Sequence, residues 1–210
     1  ETDPAMVNTA HLFMGQLMIA TNDPAGAAIE FRKVVDADPR NLDALLGEAV
    51  ALVSAGHLAG DPARLAEGFD RLAQFVEKAG GHRARASAAQ AVEYFRKGGP
   101  PKEEPAAGGS GGEGGSTTVE SGVINGRAVS KPAPPYPLVA KAARAKGAVA
   151  VRVVVDEQGD VVSAFATSGH PLLQAAAVEA ARQAKFTPTL LSGKPVKVGG
   201  LITYNFMLEQ

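Results

Sequence analysis

A stretch of low complexity divides this chain of 210 residues into two parts of similar length. Residues 98–122 contain nine glycines and three prolines and show no apolar periodicity. Such a stretch buries too little apolar surface to offset the conformational entropy that it would lose on folding. We therefore predict a flexible linker over residues 99–122, which lets a domain of residues 1–98 and a domain of residues 123–210 reorient relative to each other.

The composition is that of soluble globular protein, with 45% hydrophobic and 20% charged residues. No apolar run reaches the roughly 18–20 residues that a membrane-spanning helix requires, so we expect no such helix. The absence of cysteine excludes disulfides and thiolate metal sites. Because the chain begins with Glu1 and not with methionine, we expect a fragment or a processed form.

The charges are distributed unevenly along the chain. Residues 123–210 carry 10 Lys and Arg against 5 Asp and Glu, whereas residues 1–99 carry 10 against 13. The positive balance is compatible with an acidic partner, although such balances commonly serve only solubility. Nucleic acid is not expected as a partner, because the basic residues are scattered and no recognition motif is present.

The residues before the linker show the apolar spacing of helices, punctuated by Asp-Pro pairs and glycines. Asp23-Pro24 and Asp61-Pro62 each place a capping residue before a proline at the first helical position. The predicted helices cover residues 9–20, 24–37, 41–55, 61–80 and 83–96.

Helical hairpins spaced about 34 residues apart are typical of repeat arrays. Gly15, Ala27, Phe31 and Pro39 follow the small, small, aromatic and proline pattern of the tetratricopeptide (TPR) repeat, so residues 8–41 resemble one TPR unit. A second unit matches only through Leu45, Leu52, Gly56 and Phe69 and only with an insertion near residues 58–61. A generic helical bundle is the alternative.

The residues after the linker alternate between strand and helix signals. Val149, Val151, Val153 and Val155 alternate with other residues before a turn-forming stretch, which predicts a β-hairpin with residues 161–167. The other predicted elements are an extended piece or hairpin over residues 123–129, a helix from Tyr136 to Gly147, a helix over residues 172–184 and a last strand over residues 201–206.

These landmarks together resemble the TonB C-terminal domain family. They are Tyr136-Pro137, the valine hairpin with Asp156 and Gly159 in its turn, the helix after Leu172, Lys185-Phe186-x-Pro188 and the closing Ile202-x-Tyr204-x-Phe206 strand. The resemblance implies a small α+β domain with an antiparallel sheet and two helices. The expected architecture is therefore two domains, an all-α domain of TPR-like helical hairpins followed by a TonB C-terminal-type domain.

The resemblance also implies a function. Proteins of this family are energy transducers of the Gram-negative envelope, in which a membrane helix engages ExbB–ExbD and the C-terminal domain grips a segment of an outer-membrane transporter. This binding resembles the addition of an extended strand to a sheet edge. Carried over to this sequence, the partner-binding residues are Gly200, Leu201, Ile202, Thr203, Tyr204, Asn205, Phe206 and Tyr136.

The implied location is the periplasm, with an inner-membrane anchor supplied by a segment absent from this chain. Two features depart from the family, namely the short Gly-rich linker and the TPR-like helices, whose groove is expected to bind a further peptide or protein. The alternative function is therefore an envelope scaffold that uses both domains for docking. An exposed last strand also permits exchange of strands in a homodimer.

Catalytic and metal sites are not expected. The four histidines, His11, His57, His82 and His170, are far apart in sequence and lack metal-ligand spacing. The Asp156–Asp160 stretch is too short for an EF-hand and suits a hairpin turn, and Ser168-Gly169-His170 suits a helix start. No paired carboxylates or phosphate-binding loop occur, so the chain is predicted to be a protein-interaction module without a cofactor.

Overall fold

The computed structural model describes residues 3–98, 119–124, 126 and 128–208, and within them a helical part precedes a sheet-rich part. The helical part consists of α1 (Pro4–Ala20), α2 (Pro24–Ala37), α3 (Leu42–Ala59), α4 (Pro62–Lys78) and α5 (Arg85–Arg96). Most of the predicted linker, residues 99–118, lies outside the described residues.

The sheet-rich part contains two helices, as predicted, and more strands than predicted. Its elements in chain order are β1 (Val119–Val123), β2 (Ala128–Ser130), α6 (Leu138–Ala142), β3 (Gly147–Val155), β4 (Val161–Ser168), α7 (Pro171–Arg182), β5 (Lys185–Phe186), β6 (Thr189–Leu191), β7 (Lys194–Val196) and β8 (Val198–Phe206). β1 begins four residues before the predicted start of the C-terminal domain.

Side-chain caps fix where the helices of the first part begin. The side chains of Asp3, Asp23, Asn41 and Asp61 accept hydrogen bonds from backbone amides in the first turns of α1 to α4. These bonds satisfy amides that have no partner within the helix. α2 and α4 begin with proline, as their Asp-Pro pairs predicted. α1 also begins with a proline, Pro4, which is five residues before its predicted start.

The predicted end of α3 at Gly56 is wrong. The helix continues to Ala59 and is capped by Gly60, whose φ of 62° is the left-handed conformation that glycine adopts readily. Gly56 instead lies where α3 approaches α4, because a Cβ atom there would come within 2.6 Å of the Leu65 amide nitrogen. Its small size is needed for close helix packing.

α3 also corrects the expectation that no segment is long and apolar enough to cross a membrane. Its 18 residues have a mean hydropathy of 1.4, which meets that requirement by length and composition. However, 67% of the helix is buried inside the protein. Core helices of soluble proteins satisfy the same criteria, and α3 is the central helix of the first part, packed against α2 and α4.

Phe31 explains why small residues occur on the neighbouring helices. Its ring lies in a notch between α1 and α3, where Cβ atoms added at Gly15 and Gly47 would come within 2.9 Å and 2.7 Å of the ring. Phe31 itself is buried. The two glycines therefore provide the space that lets three helices close around one aromatic side chain.

The main sheet has the strand order β1-β8-β3-β4. β3 pairs antiparallel with β4 in the predicted hairpin and antiparallel with all of β8, whereas β1 pairs parallel with β8. The expectation of a purely antiparallel sheet is therefore wrong for β1. Of the two structures predicted for residues 123–129, an extended piece or a hairpin, the hairpin is wrong, because β2 pairs with β5 and not with β1.

One face of the sheet forms the core of the second part. The valines of β3 alternate as predicted, and those at 149, 151, 153 and 155 are buried beside alternate residues of β8. α7 packs on this face. The predicted helix from Tyr136 to Gly147 is shorter than expected, since α6 ends at Ala142 and Arg144 adopts a φ of 50°, outside the helical region.

The two parts of the chain are in contact. α6 and α7 lie against α3 and α5, and buried apolar residues of both parts belong to one continuous core. Tyr94 of α5 accepts a hydrogen bond from the amide of Ala166 in β4 at 3.1 Å. The linker was expected to leave the domains free to reorient, but their facing surfaces are apolar and complementary, and this structure has them packed together.

Candidate partner-binding edge

The predicted partner-binding residues all lie on or beside β8. Ile202, Tyr204 and Phe206 are buried on the inner face of the sheet, where they face the same side as the valines of β3. Leu201, Thr203 and Asn205 point to the opposite face. A partner that adds a strand therefore meets the backbone of β8 on the side away from β3, which we call the β8 edge.

The first half of the β8 edge is already paired. β1 lies parallel to residues 198–201, and the amide of Ile124 donates a hydrogen bond to the Leu201 carbonyl at 3.0 Å. The expectation of an exposed last strand is therefore wrong for Gly200 and Leu201. Because the Leu201 carbonyl points to β1, alternate residues along β8 direct their backbone groups to this edge.

Ile124 anchors β1 to the sheet. Its side chain is 4% exposed, whereas that of the preceding Val123 is 68% exposed. A Cβ atom added at Gly200 would lie 2.7 Å from the Cγ2 atom of Ile124, so the absence of a side chain at Gly200 makes room for it. Gly200 thus allows the close approach of Ile124 to β8.

Lys131 covers the next part of the β8 edge. Its Nζ atom donates a hydrogen bond to the Thr203 carbonyl at 2.7 Å and lies 4.7 Å from the centroid of the Tyr204 ring. Burial lowers the pKa of the Lys131 ammonium group. The hydrogen bond and the cation–π contact hold this side chain along the strand.

Tyr204 is held in an apolar environment. Burial raises the pKa of its hydroxyl group to about 12. Within the described part of the chain, this hydroxyl has no hydrogen-bond partner. A buried hydroxyl without a partner costs free energy, so the position of Tyr204 is determined by the packing of its ring.

Tyr136 lies at the far end of β8. Its ring makes an edge-to-face contact with Phe206, with 5.6 Å between ring centroids, and its hydroxyl donates a hydrogen bond to the Ala145 carbonyl. Burial raises the pKa of this hydroxyl. Tyr136 therefore connects the segment before α6 to the end of β8. It lies near the edge for which the family resemblance predicted it as a partner-binding residue.

β1 and the contact made by the Lys131 side chain are the parts of this site that the sequence did not predict. The available signal for β1 was a group of β-branched residues at the end of the low-complexity stretch, namely Val119, Val123 and Ile124. The family resemblance implies that residues 131–136 lie near this edge, but the bond from Lys131 to the Thr203 carbonyl had no local signal, because it joins residues that are 72 positions apart.

The described residues place no cluster of metal ligands at this edge. Across residues 3–98, 119–124, 126 and 128–208, no three His, Asp or Glu side chains converge in a way that would hold a metal ion. Asp156, which resembled part of a cation loop, accepts hydrogen bonds from the amides of Gln158 and Asp160 within the β3–β4 turn. Its carboxylate stabilises that turn.

Comparison with known proteins agrees with the geometry of this domain. No curated protein and no solved structure gives a significant match to the chain. A family model does match, over a range that contains Tyr136, the β3–β4 hairpin, α7 and β8 and excludes β1. The predicted resemblance is thereby confirmed: residues 132–208 match the family described as Gram-negative bacterial TonB protein C-terminal.

Proposed function

We propose that the sheet-rich part binds an extended segment of an outer-membrane transporter by strand addition at the β8 edge. In this proposal the protein acts in the periplasm of a Gram-negative-type cell and couples inner-membrane energy to transport without catalysis. The observation that carries the proposal is the parallel pairing of β1 with β8. A segment of the chain already adds to this edge through backbone hydrogen bonds, so a partner strand has a template there.

β8 is held in the sheet in a way that suits it to bear force applied through a bound partner strand. β8 pairs with β3 over nine consecutive residues without a register shift, and its inner side chains are buried beneath α7. Force applied along an added strand is resisted by several backbone hydrogen bonds together. Such bonds depend little on side-chain identity, so one edge can grip segments of different sequence.

The helical part has a separate role in this proposal. We infer a TPR-like array that holds the C-terminal domain through α3 and α5, while a membrane segment outside this chain engages ExbB–ExbD. The notch of Phe31 with Gly15 and Gly47 supports the TPR-like assignment, because it uses the small and aromatic positions of that repeat.

A scaffold function is the second candidate, and the surface of α1 favours it. Met6, Phe13 and Leu17 are 66%, 68% and 48% exposed and lie on one side of a helix that contains no Asp, Glu, Lys or Arg. Exposed apolar helix faces commonly mark protein contacts. In this alternative the chain joins two envelope proteins and transmits no force.

The distinguishing experiment is a titration of the 210-residue chain with peptides that copy the periplasmic N-terminal segments of the same organism's outer-membrane transporters. We expect backbone amide NMR shifts concentrated on residues 198–206. Asn205→Pro should abolish the shifts, because proline removes an amide on the β8 edge, whereas Asn205→Ala should retain them. No shift on β8 at millimolar peptide would reject coupling and favour the scaffold.

A further inference from the structure

Ile124 fills a pocket on the β8 edge. The shape of this pocket limits the size of the side chain that a partner strand can place there. Ile124 occupies the space that the missing side chain of Gly200 leaves. It also borders a small cavity together with Val155, Phe186 and Val198. A cavity of only about 10 Å³ remains around Ile124. The site therefore fits a branched aliphatic side chain and is too small for an aromatic one.

The backbone pairing of β1 with β8 is interrupted. Its register with β8 shifts between Glu120 and Val123, and the Val123 side chain is largely exposed. By contrast, the β3 ladder on the other side of β8 is continuous over nine residues. Among the side chains described in this segment, only that of Ile124 is buried against the sheet. We infer that β1 is the strand of this sheet most easily displaced.

A backbone edge can pair with only one strand at a time. Residues 198–201 of β8 direct their outward groups to β1, as the bond from the Ile124 amide to the Leu201 carbonyl demonstrates. A partner that adds a strand along the whole of β8 must therefore take the place of β1. The incoming strand then faces the same pocket at Gly200 as Ile124 does.

We propose that β1 is a built-in competitor for the partner strand, and that the partner runs parallel to β8 with a valine or isoleucine over Gly200. This inference rests on the proposed function, because it specifies the segment that binds at the β8 edge. β1 and Ile124 lie outside the residues that match the TonB C-terminal family model. Competition by β1 is therefore a property of this chain and not of the matched domain alone.

The first test uses the whole chain and a synthetic peptide of residues 119–126 as the probe. Ile124→Ala should weaken the internal strand, so this peptide should bind the variant at least tenfold more tightly than it binds the unaltered chain. Val123→Ala is the matched control, because Val123 is exposed, and it should change binding less than twofold. Equal binding to all three proteins would overturn the inference.

The second test uses the transporter peptides. Ile124→Ala should raise their affinity about tenfold, and changing their valine or isoleucine to alanine should lower it. In Gly200→Ala, the peptide with valine or isoleucine and its alanine variant should bind with equal affinity, because the added Cβ occupies the pocket. Amide exchange at Ile124 should also accelerate when the peptide binds.

The outcomes separate the two proposals. If transporter peptides bind the unaltered chain and Ile124→Ala equally, with exchange at Ile124 unchanged, the competitor is rejected and strand addition stands. If the residue 119–126 peptide behaves as expected but no transporter peptide binds, the pocket is upheld and transporter coupling fails. Circular dichroism of each variant excludes loss of folding as the cause.

Discussion

The Nε2 atom of His170 lies 3.3 Å from the Ser54 hydroxyl oxygen, across the contact between the helical and sheet-rich parts. The Nδ1 atom of the same ring accepts a hydrogen bond from the Leu172 amide and caps α7. With Nδ1 accepting, the proton of a neutral ring lies on Nε2 and is donated to Ser54, whose hydroxyl donates to the Val50 carbonyl. The cap on α7 therefore requires a neutral His170, whereas the bond from Nε2 to Ser54 would survive protonation of the ring.

This requirement predicts that the protein loses stability in acid, because protonation removes the cap on α7 and places a buried charge at the contact between the two parts. Burial, with a smaller contribution from the nearby His57, lowers the pKa of His170 to about 3. His57, Arg144 and Lys146 border the same cavity, which has no acidic side chain in its lining. Because the folded pKa is depressed, the stabilisation is complete above about pH 6.5 and is lost progressively down to about pH 3, by up to ~1.4 kcal/mol per pH unit.

Urea unfolding at pH 7.5, 6.0 and 5.0 measures this dependence. His170→Asn should keep the cap on α7 and flatten the pH dependence below pH 6.5, because asparagine caps helices without titrating. Ser54→Ala should lower stability by about 1 kcal/mol and keep the slope. An unchanged slope in His170→Asn would assign the acid sensitivity to other groups.

The Tyr94 hydroxyl accepts a hydrogen bond from the Ala166 amide at the outer edge of β4. Its contribution can therefore be measured as the hydrogen-exchange rate of that amide. Tyr94→Phe retains the ring but removes the acceptor for the Ala166 amide. We expect that amide to exchange about fivefold faster, which corresponds to a loss of about 1 kcal/mol. Tyr136→Phe, whose hydroxyl donates to Ala145, should leave exchange at Ala166 unchanged.

Glu48 should contribute more to stability than its exposed counterpart Glu67. Its carboxylate is fully buried in α3 and accepts a hydrogen bond from Arg32 Nε at 2.7 Å, with Arg71 Nε at 3.6 Å. Glu48→Ala leaves a cavity and separates two arginines from their shared partner, so we expect a loss of roughly 2–4 kcal/mol in urea unfolding.

Glu67→Ala is the matched control, because Glu67 pairs with the same Arg32 at 2.6 Å but is half exposed. An exposed pair contributes at most about 1 kcal/mol. Equal losses in the two variants would contradict the importance of burial at Glu48. One oxygen of Glu48 has no hydrogen-bond partner among the described residues, so Glu48→Gln should be milder than Glu48→Ala.

The Phe31 notch predicts a size limit at its glycines. Gly47→Ala places a methyl group 2.7 Å from the ring and should lower the free energy of unfolding by about 1–3 kcal/mol. Gly81→Ala has open space around it and should change stability little. The double variant Gly47→Ala/Phe31→Leu should lose less free energy of unfolding than the sum of the losses in the two single variants. A double-mutant cycle based on thermal unfolding measures this difference.

Local chemistry made much of this fold predictable. Asp23-Pro24 and Asp61-Pro62 identified helix starts because a carboxylate cap and a preset proline φ act within one turn. The alternating valines of β3 identified the hairpin and its buried face, because adjacent side chains in a strand point to opposite sides. The family landmarks were likewise short patterns read in order along residues 132–208.

The sequence by itself thus determined the helices, the hairpin, the position of β8 and the resemblance of the second part to a known family. Tertiary structure alone decided that β1 and Lys131 cover the β8 edge and that His170 meets Ser54 across the two parts. Each of these contacts joins residues that are far apart in the chain. Their formation depends on complementary surfaces brought together by the whole fold, and neither local propensity nor residue spacing encodes that complementarity.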